Sequence, residues 1–339
     1  MKFADGKIKK NNKKLMVITL VVILIVGLVV SAFVVRKTYN ENLKPLSTTS
    51  KTHVITIQPG STTAQIAESL KSRGVIKSDW AFEWYVRNSQ TKDELKAGTY
   101  VFDQNQTVQE IVEIMISGKV ATDLITILPG KTLEETKTAL LKAGYSGQEV
   151  ESALEPSQYA KHPALTDKPK DVTLEGYLYP ETFQKTSETT LKEIITLSLD
   201  EMERVLTNEV RQAISKQGLT LHEGITLASV IEGEVGTPED RNQVAQVFLK
   251  RLKEGIRLES NATDDYAKKN PAYDSYKIDG LPPGPISNFT ESSINAVAFP
   301  SKTDWLFFVT GDNGQTHFSK TIEEHDALIK QYCTTLCGR

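Results

Sequence analysis

The stretch EGITLASVIEGEVG, residues 223–236, starts with Glu223 and carries two further carboxylates, Glu232 and Glu234, at the end of its apolar and small-residue segment. Its apolar side chains recur at helical spacing, which predicts a buried helix with a core face formed by Ile225, Ala228, Ile231 and Val235. Polar groups inside such a segment are uncommon unless a partner satisfies them or chemistry uses them. The segment therefore bears on the core of its domain and on the choice of a catalytic acid.

Glu232 is the candidate general acid of this helix. It follows Ile231 and is flanked by Gly233, and a carboxyl group among apolar neighbours keeps its proton more readily, as a general acid must near neutral pH. Glu234 lies about 200° further round the helix, so the two carboxylates do not face one pocket. The pattern alone fits two solvated helix carboxylates equally well.

A second helix is predicted directly after the first. Gly236 ends the first helix, and Thr237 and Pro238 follow as the N-cap and first residue of the next, with Asp240 three residues past the cap. Gly255 closes this second helix, whose core face comprises Val244, Val247, Phe248 and Leu252. Residues 256–311 are rich in Gly, Pro, Asn and Tyr and are interpreted as irregular. A strand from Trp305 to Thr310, a turn and a C-terminal helix end the chain.

The N-terminal region contains an uncharged apolar run, LMVITLVVILIVGLVVSAFVV at residues 15–35, that is long enough to span a bilayer as a helix. Six lysines precede it, so the positive-inside rule predicts residues 1–14 in the cytoplasm and the rest of the chain outside. A cleaved signal peptide is the alternative, but the run is long for one and no clean cleavage site follows. Residues 36–52 are polar and predict a linker.

An internal repeat follows the linker. ITIQPGSTTAQIAESLKSRG begins at Ile55 and ITILPGKTLEETKTALLKAG begins at Ile125, and each predicts a strand, a Pro-Gly turn and an amphipathic helix closed by glycine. Residues 53–118 form one predicted module with the short strand–helix make-up of a LysM-type glycan-binding fold. Residues 119–339 form a second α+β domain, so the predicted class is α+β throughout.

Composition excludes several classes of function. The charges are mixed and sum to −3, which argues against a nucleic-acid partner. The sequence has no G-x-S-x-G elbow, no H-E-x-x-H and no phosphate loop, and it has five scattered histidines: His53, His162, His222, His317 and His325. Neither a metal nor a cofactor is predicted. Cys333 and Cys337 are four residues apart, a spacing that on a helix seldom suits a disulfide, and their pairing stays open.

The loop YDSYKIDGLPPGPISN, residues 273–288, combines aromatic, proline and neutral polar residues. Tyr273 and Tyr276 can stack on sugar rings, and the prolines hold the backbone rigid. Neutral hydrogen-bonding groups are offered by Asn261, Thr263, Ser287 and Asn288. This combination suits an uncharged glycan, although a proline-stiffened structural loop has the same composition.

The order of motifs behind one apolar helix resembles the endolytic murein transglycosylase family across residues 53–332. The motifs are LEGYLYPETF, LASVIEGEVGTPEDRNQVAQVFLKRLKEGIRLESNATDDYA, YDSYKIDGLPPGPIS and HFSKTIEEH. The resemblance implies a LysM-like subdomain, a catalytic domain and cleavage of nascent peptidoglycan strands near the membrane. It implies that the catalytic residue is the first glutamate of ASVIEGEVG, residues 228–236, which is Glu232. Ala262 and Phe289 depart from the family pattern, where prolines are usual.

The resemblance also implies a mechanism and a set of substrate contacts. Glu232 would protonate the glycosidic oxygen and then take the proton of the muramic acid 6-hydroxyl, which closes a 1,6-anhydro ring. The expected substrate-binding residues are Glu175, Tyr179, Asn261, Thr263, Tyr273, Tyr276, Pro283, Gly284 and Asn288. Glu175 is the candidate for a second acid, or a structural residue bonded to backbone amides. Glycan strands, the membrane and, by family analogy, wall synthases of the divisome or elongasome are the expected partners. A non-catalytic glycan-binding scaffold and a hydrolytic muramidase are the alternatives.

Overall fold

The computed structural model describes residues 8–49, 51–185 and 189–335, with side chains from Met16 onward. The chain divides into two compact units, Met1–Thr122 and Asp123–Arg339. Both units contain helices and short two-stranded antiparallel sheets, so the predicted α+β class is confirmed.

The first unit begins with one long helix, α1, Ile8–Asn42. Its span Met16–Asn42 is long and apolar enough to cross a membrane, with a mean hydropathy of 3.2 and none of that window buried. The helix continues past the predicted apolar run into the segment interpreted as a linker. Leu43 then packs against the core of this unit, and the Ser47 N–H donates to the Gln104 carbonyl at 3.1 Å.

The rest of the first unit packs three helices against one antiparallel pair of strands. Its elements are β1 Thr52–Ile57, α2 Thr63–Ser72, α3 Asp79–Asn88, β2 Gly98–Asp103 and α4 Val108–Ser117. Thr52 pairs with Asp103 and Ile57 with Gly98. Inward-facing residues of both strands and the apolar faces of the helices form its core, including the fully buried Leu70, Phe82, Tyr100, Phe102 and Met115.

The second unit is mainly helical. Its helices are α5 Leu133–Lys142, α6 Gly147–Ala153, α7 Leu191–Val205, α8 Asn208–Lys216, α9 Leu221–Glu234, α10 Pro238–Glu254, α11 Asp264–Lys269, α12 Glu291–Ala298 and α13 Ile322–Tyr332. Its strands pair as β3 Leu124–Thr126 with β4 Thr182–Gln184, and β5 Phe307–Thr310 with β6 Thr316–Ser319. Cys333, which follows α13, is disulfide-bonded. Cys337 lies outside the described residues.

The internal repeat is confirmed as a structural repeat. Each copy forms a strand, a turn and a helix, β1 with α2 and β3 with α5. Thr62 and Thr132 are the N-caps of the two helices, and each closes a capping box with the residue three positions later. The turn glycines Gly60 and Gly130 both have a positive φ, 83° and 66°, a conformation that glycine adopts without steric cost.

Helix α9 is the centre of the second unit, as the opening stretch predicts. Its residues from Ile225 to Ile231 are all buried, and α8, α10 and α12 pack around it. Thr220 caps it through a box with Glu223, whose carboxylate accepts the Thr220 N–H at 2.7 Å. Gly224 lets α8 approach closely, because a Cβ there would lie 2.7 Å from Ile214. A buried and capped helix gives its C-terminal end a fixed position.

Two parts of the second unit contain more regular structure than the sequence suggested. The segment 256–311, interpreted as irregular, contains α11 and α12. The final predicted strand is the first of a hairpin, β5 and β6. Helix α12 was missed because its apolar face, Ile294, Val297 and Ala298, is short and follows a proline-rich loop.

Candidate active site

The Glu232 side chain, in the last turn of α9, accepts four hydrogen bonds. Its Oε2 accepts from the Thr290 N–H at 2.9 Å, the Thr290 hydroxyl at 2.8 Å and the Ser293 hydroxyl at 2.6 Å. Its Oε1 accepts from Nη2 of Arg241 at 3.1 Å. The apolar setting expected from the sequence is wrong in this respect, because the side chain leaves the Ile231 face and meets the start of α12.

Glu232 caps helix α12 from outside that helix. Thr290 is the N-cap of α12, and its hydroxyl makes no hydrogen bond to its own helix. The Glu232 carboxylate accepts the hydrogen bond of the Thr290 N–H. The hydroxyl of Ser293, three residues past the cap, donates to the same oxygen. In an ordinary capping box a side chain of the helix itself supplies that acceptor. The helix N-terminus also favours a negative charge at this place.

Arg241, on α10, orders the groups around Glu232. Its guanidinium donates through Nη1 to the Thr290 hydroxyl at 2.7 Å, through Nη2 to Glu232, and through Nε to the Val235 carbonyl at 3.4 Å. Because Thr290 accepts from Arg241, its own hydroxyl hydrogen is directed to Glu232. The Arg241 and Glu232 side chains are only 8% and 7% exposed, so this is a buried ion pair.

Two glycines lie beside Glu232, whose side chain is 7% exposed. A Cβ on Gly130 would lie 3.9 Å from Cγ of Glu232, and both Gly130 and Gly233 are exposed. The Pro-Gly turn of the second repeat therefore lies beside the Glu232 side chain. Small residues here leave room for a bulky chain to come close.

Asn288 holds that turn in place. Its side chain donates to the Leu128 carbonyl at 3.0 Å and accepts from the Lys131 N–H at 2.9 Å, and its own N–H donates to the Lys131 carbonyl. Asn288 is 2% exposed, so these bonds occupy a buried amide. A role of Asn288 as a substrate ligand remains a prediction. In the structure Asn288, two residues before Thr290, holds the turn at Pro129 and Gly130 in position.

Glu175 lies at the N-terminus of α5. Its carboxylate accepts from the Leu133 N–H at 2.9 and 3.1 Å and from the Tyr266 hydroxyl at 2.7 Å. Burial raises the pKa of Glu175 despite these donors. Tyr273 packs on Tyr266 with ring centroids 4.6 Å apart, and a Cβ on Gly284 would lie 3.2 Å from the Tyr273 hydroxyl. Glu175, Tyr273 and Gly284 are thus brought together with Tyr266, which sequence reasoning missed.

The other predicted substrate ligands fall into two groups. Tyr179 and Thr263 are 6% and 0% exposed; the Tyr179 carbonyl accepts from Ser198, and the Thr263 hydroxyl donates to the Ser260 carbonyl at 2.8 Å. Pro283 and the pair Asn261 and Tyr276 are exposed, and the Tyr276 hydroxyl donates to Asn261 at 2.6 Å. The first group supports the fold, whereas the second group is accessible to a ligand.

Glu234 has different surroundings from Glu232, as the helical geometry predicts. It accepts from the Ser260 hydroxyl and from the Ala262 N–H at 3.2 Å, and burial raises its pKa. It lines a cavity of about 620 Å³ together with Tyr276, Phe307 and His325. A larger cavity, about 1180 Å³, lies at the opposite end of α9, so cavity size alone does not mark the Glu232 carboxylate.

The signal for Arg241, Thr290 and Ser293 was weak in the sequence. Thr290 followed by an acidic residue and apolar positions at helical spacing is a helix start, but nothing local links it to Glu232. Among the described residues no group of three or more His, Cys, Asp or Glu side chains could hold a metal ion.

Comparison with known proteins identifies the family. The YceG-like family model matches residues 55–331, so the chain belongs to the YceG-like family. The endolytic murein transglycosylase of Bacillus subtilis is 30% identical over 86% of this chain and 88% of that protein. The protein of the same name from Streptococcus pneumoniae is 26% identical, over 86% of this chain and 60% of that protein. A crystal structure of a YceG-like protein from Listeria monocytogenes, 30% identical, matches 83% of this chain and all of that chain with a TM-score of 0.54.

Proposed function

We propose that this chain is a membrane-anchored enzyme that cuts peptidoglycan glycan strands between N-acetylmuramic acid and N-acetylglucosamine and so ends strand elongation. The enzyme class follows from the family: the chain is a lytic transglycosylase, the class to which the name of its curated relatives belongs. The observation that carries the proposal is Glu232, a carboxylate fixed on both oxygens beside an exposed, glycine-lined turn.

Glu232 acts in both halves of the proposed reaction. Oε2 already accepts three hydrogen bonds and Oε1 accepts one, so Oε1 has a lone pair left for the transferred proton. A proton taken up from solvent on Oε1 passes to the bridging oxygen as the bond from C1 of the muramic acid to that oxygen breaks. The freed chain end leaves as an alcohol, and the Glu232 carboxylate remains.

The second half closes the sugar ring. The 6-hydroxyl of the same muramic acid attacks C1, and Glu232 accepts its proton, which restores the starting state and gives a 1,6-anhydro end. The attack is intramolecular, so it gains from high effective molarity and needs no separate nucleophile. The N-terminus of α12 and Arg241 stabilise the carboxylate between the two steps.

A hydrolytic muramidase is the second candidate, because one observation favours it. Burial raises the pKa of Glu175, and a raised pKa is what the general acid of a two-carboxylate glycosidase needs, with Glu232 then as the base. Its bonds to the Leu133 amide and Tyr266 support the structural alternative instead. In the muramidase reaction water would attack C1, and the product would carry a full reducing end.

Mass spectrometry of the products tests both candidates. The full chain in detergent is incubated with uncrosslinked glycan strands beside Glu232→Gln, Glu175→Gln and the matched control Glu234→Gln, which makes the same change two residues away. We expect ends lighter by one water from the wild type, Glu175→Gln and Glu234→Gln, and no products from Glu232→Gln. Full-mass reducing ends that require Glu175 would replace this proposal by the muramidase. Cleavage by folded Glu232→Gln would remove Glu232 from the mechanism, and no cleavage by any of the proteins would favour a scaffold.

The proposed location is the membrane, with residues 1–14 in the cytoplasm and the body outside. Helix α1 supports this by length and composition, and the lysines before its apolar run support the orientation. A reporter enzyme fused after Arg339 should be active only outside the cytoplasm, and activity inside the cytoplasm would reverse the topology. We also infer a LysM-like glycan-binding role for residues 53–118, supported by its helices packed on one strand pair. The catalytic domain is then residues 119–339.

A further inference from the structure

An exposed aromatic cluster lies at the C-terminal end of α1. The Tyr39 ring is 6.0 Å from the Trp80 ring and 6.5 Å from the Trp84 ring, measured between centroids. Trp80 and Trp84 are one helical turn apart on α3 and are 42% and 52% exposed. Two of the three tryptophans in the chain therefore lie on the surface beside the apolar helix.

The position of Tyr39 along α1 sets the depth at which the aromatic cluster would lie in a bilayer. Tyr39 follows Val35, the last residue of the uncharged run, by one turn on the same face, a rise of about 6 Å. The headgroup layer on each side of a bilayer is roughly 5–7 Å thick. A helix whose apolar run fills the hydrocarbon core thus places Tyr39 in the headgroup layer. Trp80 and Trp84 contact Tyr39, so they lie at the same level.

The cationic residues around the aromatic cluster also suit a position in the headgroup layer. Arg36 and Lys37 lie on α1 between the apolar run and Tyr39 and are exposed. Lys77, just before α3, donates to the Glu41 carbonyl at 3.4 Å, so a third cation lies at the end of the helix. Tryptophan and tyrosine are enriched at membrane interfaces, and cations near them attract anionic phosphates.

We propose that Tyr39, Trp80 and Trp84 form an interfacial anchor that seats the first unit on the headgroup layer of the bilayer. The inference rests on the proposed membrane span of α1. A sugar-stacking platform would use the same side chains, but Tyr39 belongs to the helix itself and cannot move away from the bilayer surface. The lipid interface is therefore the occupant that the geometry favours.

Depth-dependent fluorescence quenching tests the anchor. The full chain with Trp305→Phe, which leaves Trp80 and Trp84 as its fluorophores, is reconstituted in vesicles of anionic and zwitterionic lipids. Separate preparations carry bromine near the headgroup or near the chain end. We expect strong loss of emission with the shallow bromine, much less with the deep bromine, and reduced quenching by aqueous acrylamide. If Trp305→Phe does not fold, the quenching lost in Trp80→Phe and Trp84→Phe gives the same readout.

Flotation of the same vesicles separates this inference from the proposed membrane span. If the chain floats with the vesicles but neither bromine quenches the tryptophans, the anchor is wrong and the membrane span stands. Protection from acrylamide that depends on protein concentration, or appears only with glycan strands, also overturns the anchor, since the occupant is then a second copy or a sugar. A chain that does not float with the vesicles, or that a carbonate wash removes from them, overturns both the anchor and the membrane span.

Discussion

Replacing Glu232 by Gln should destabilise the second unit as well as abolish cleavage. The carbonyl oxygen of the Gln side chain can accept the three hydrogen bonds from Thr290 and Ser293. Its amide nitrogen then faces Nη2 of Arg241. Two donors would face each other, and a guanidinium that is 8% exposed would lose its counter-charge. Loss of activity alone therefore does not separate chemistry from folding.

The size of the effect follows from the burial of the pair. Removing one partner of a buried ion pair costs about 3–5 kcal/mol, because the other charge is left uncompensated. For a unit of this size each kcal/mol lowers Tm by about 2–4 °C, which gives a fall of roughly 6–20 °C. Arg241→Met in the Glu232→Gln background removes the uncompensated charge, so the double variant should be more stable than the sum of the two single changes indicates.

The assay is thermal or urea unfolding of the full chain in detergent, followed by near-ultraviolet circular dichroism. Glu234→Gln is the matched control, since its two bonds come from Ser260 and Ala262, donors that a Gln carbonyl can also accept. Burial raises the pKa of Glu234, so its stabilising contribution is full below the unfolded pKa and is lost as pH rises through the folded pKa. Glu234→Gln should therefore be at least as stable as wild type at pH 7.5, with the gain shrinking toward pH 4.

The reasoning would be refuted by a Glu232→Gln protein that unfolds at the wild-type midpoint. That result would mean that the Arg241 ion pair is not formed or not buried in solution. An additive double variant would lead to the same conclusion. If Glu234→Gln instead lost several kcal/mol at pH 7.5, its carboxylate would be ionised and paired rather than held by neutral donors.

Three further outcomes follow from the same geometry. Ser293→Ala removes one hydrogen bond to a charged oxygen, worth about 1.5–3 kcal/mol. The kcat should therefore fall roughly 10- to 100-fold with KM little changed. An unchanged kcat would exclude Ser293 from positioning Glu232. Gly176→Ala should prevent stable folding, as expression and circular dichroism would show, because φ is +78° and a Cβ would overlap Pro285. Burial lowers the pKa of His222, so its contribution to stability is present above the ordinary pKa of about 6.5 and is lost as pH falls through the lowered value; His222→Asn should show less loss of unfolding free energy between pH 7 and pH 5 than wild type.

Local patterns were sufficient to predict the elements that position Glu232. Helix α9 follows from its apolar spacing, and α10 from Thr237 and Pro238. The repeat was visible because both copies keep the same strand, turn and cap. These features depend on neighbours within a few residues, so the sequence alone contains the information.

The partners of Glu232 could not be predicted in the same way. Thr290 is 58 residues from Glu232 along the chain, and Arg241 reaches back from the next helix. Whether a carboxylate meets apolar side chains or a helix N-terminus depends on tertiary packing, which periodicity does not describe. The same holds for Glu175, where Tyr266 arrives from 91 residues away.

Because Glu232 caps α12, the proposed acid of the second unit is not assembled until α12 has folded against α9. In the proposed topology the body of the chain follows α1 across the membrane in sequence order, so Glu232 emerges well before Thr290 and Ser293. In that interval the carboxylate has no hydroxyl donors and no helix end to face, and α12 has no cap. Assembly of the proposed acid and docking of a late helix are one event, so an unfinished chain carries no competent cutting site.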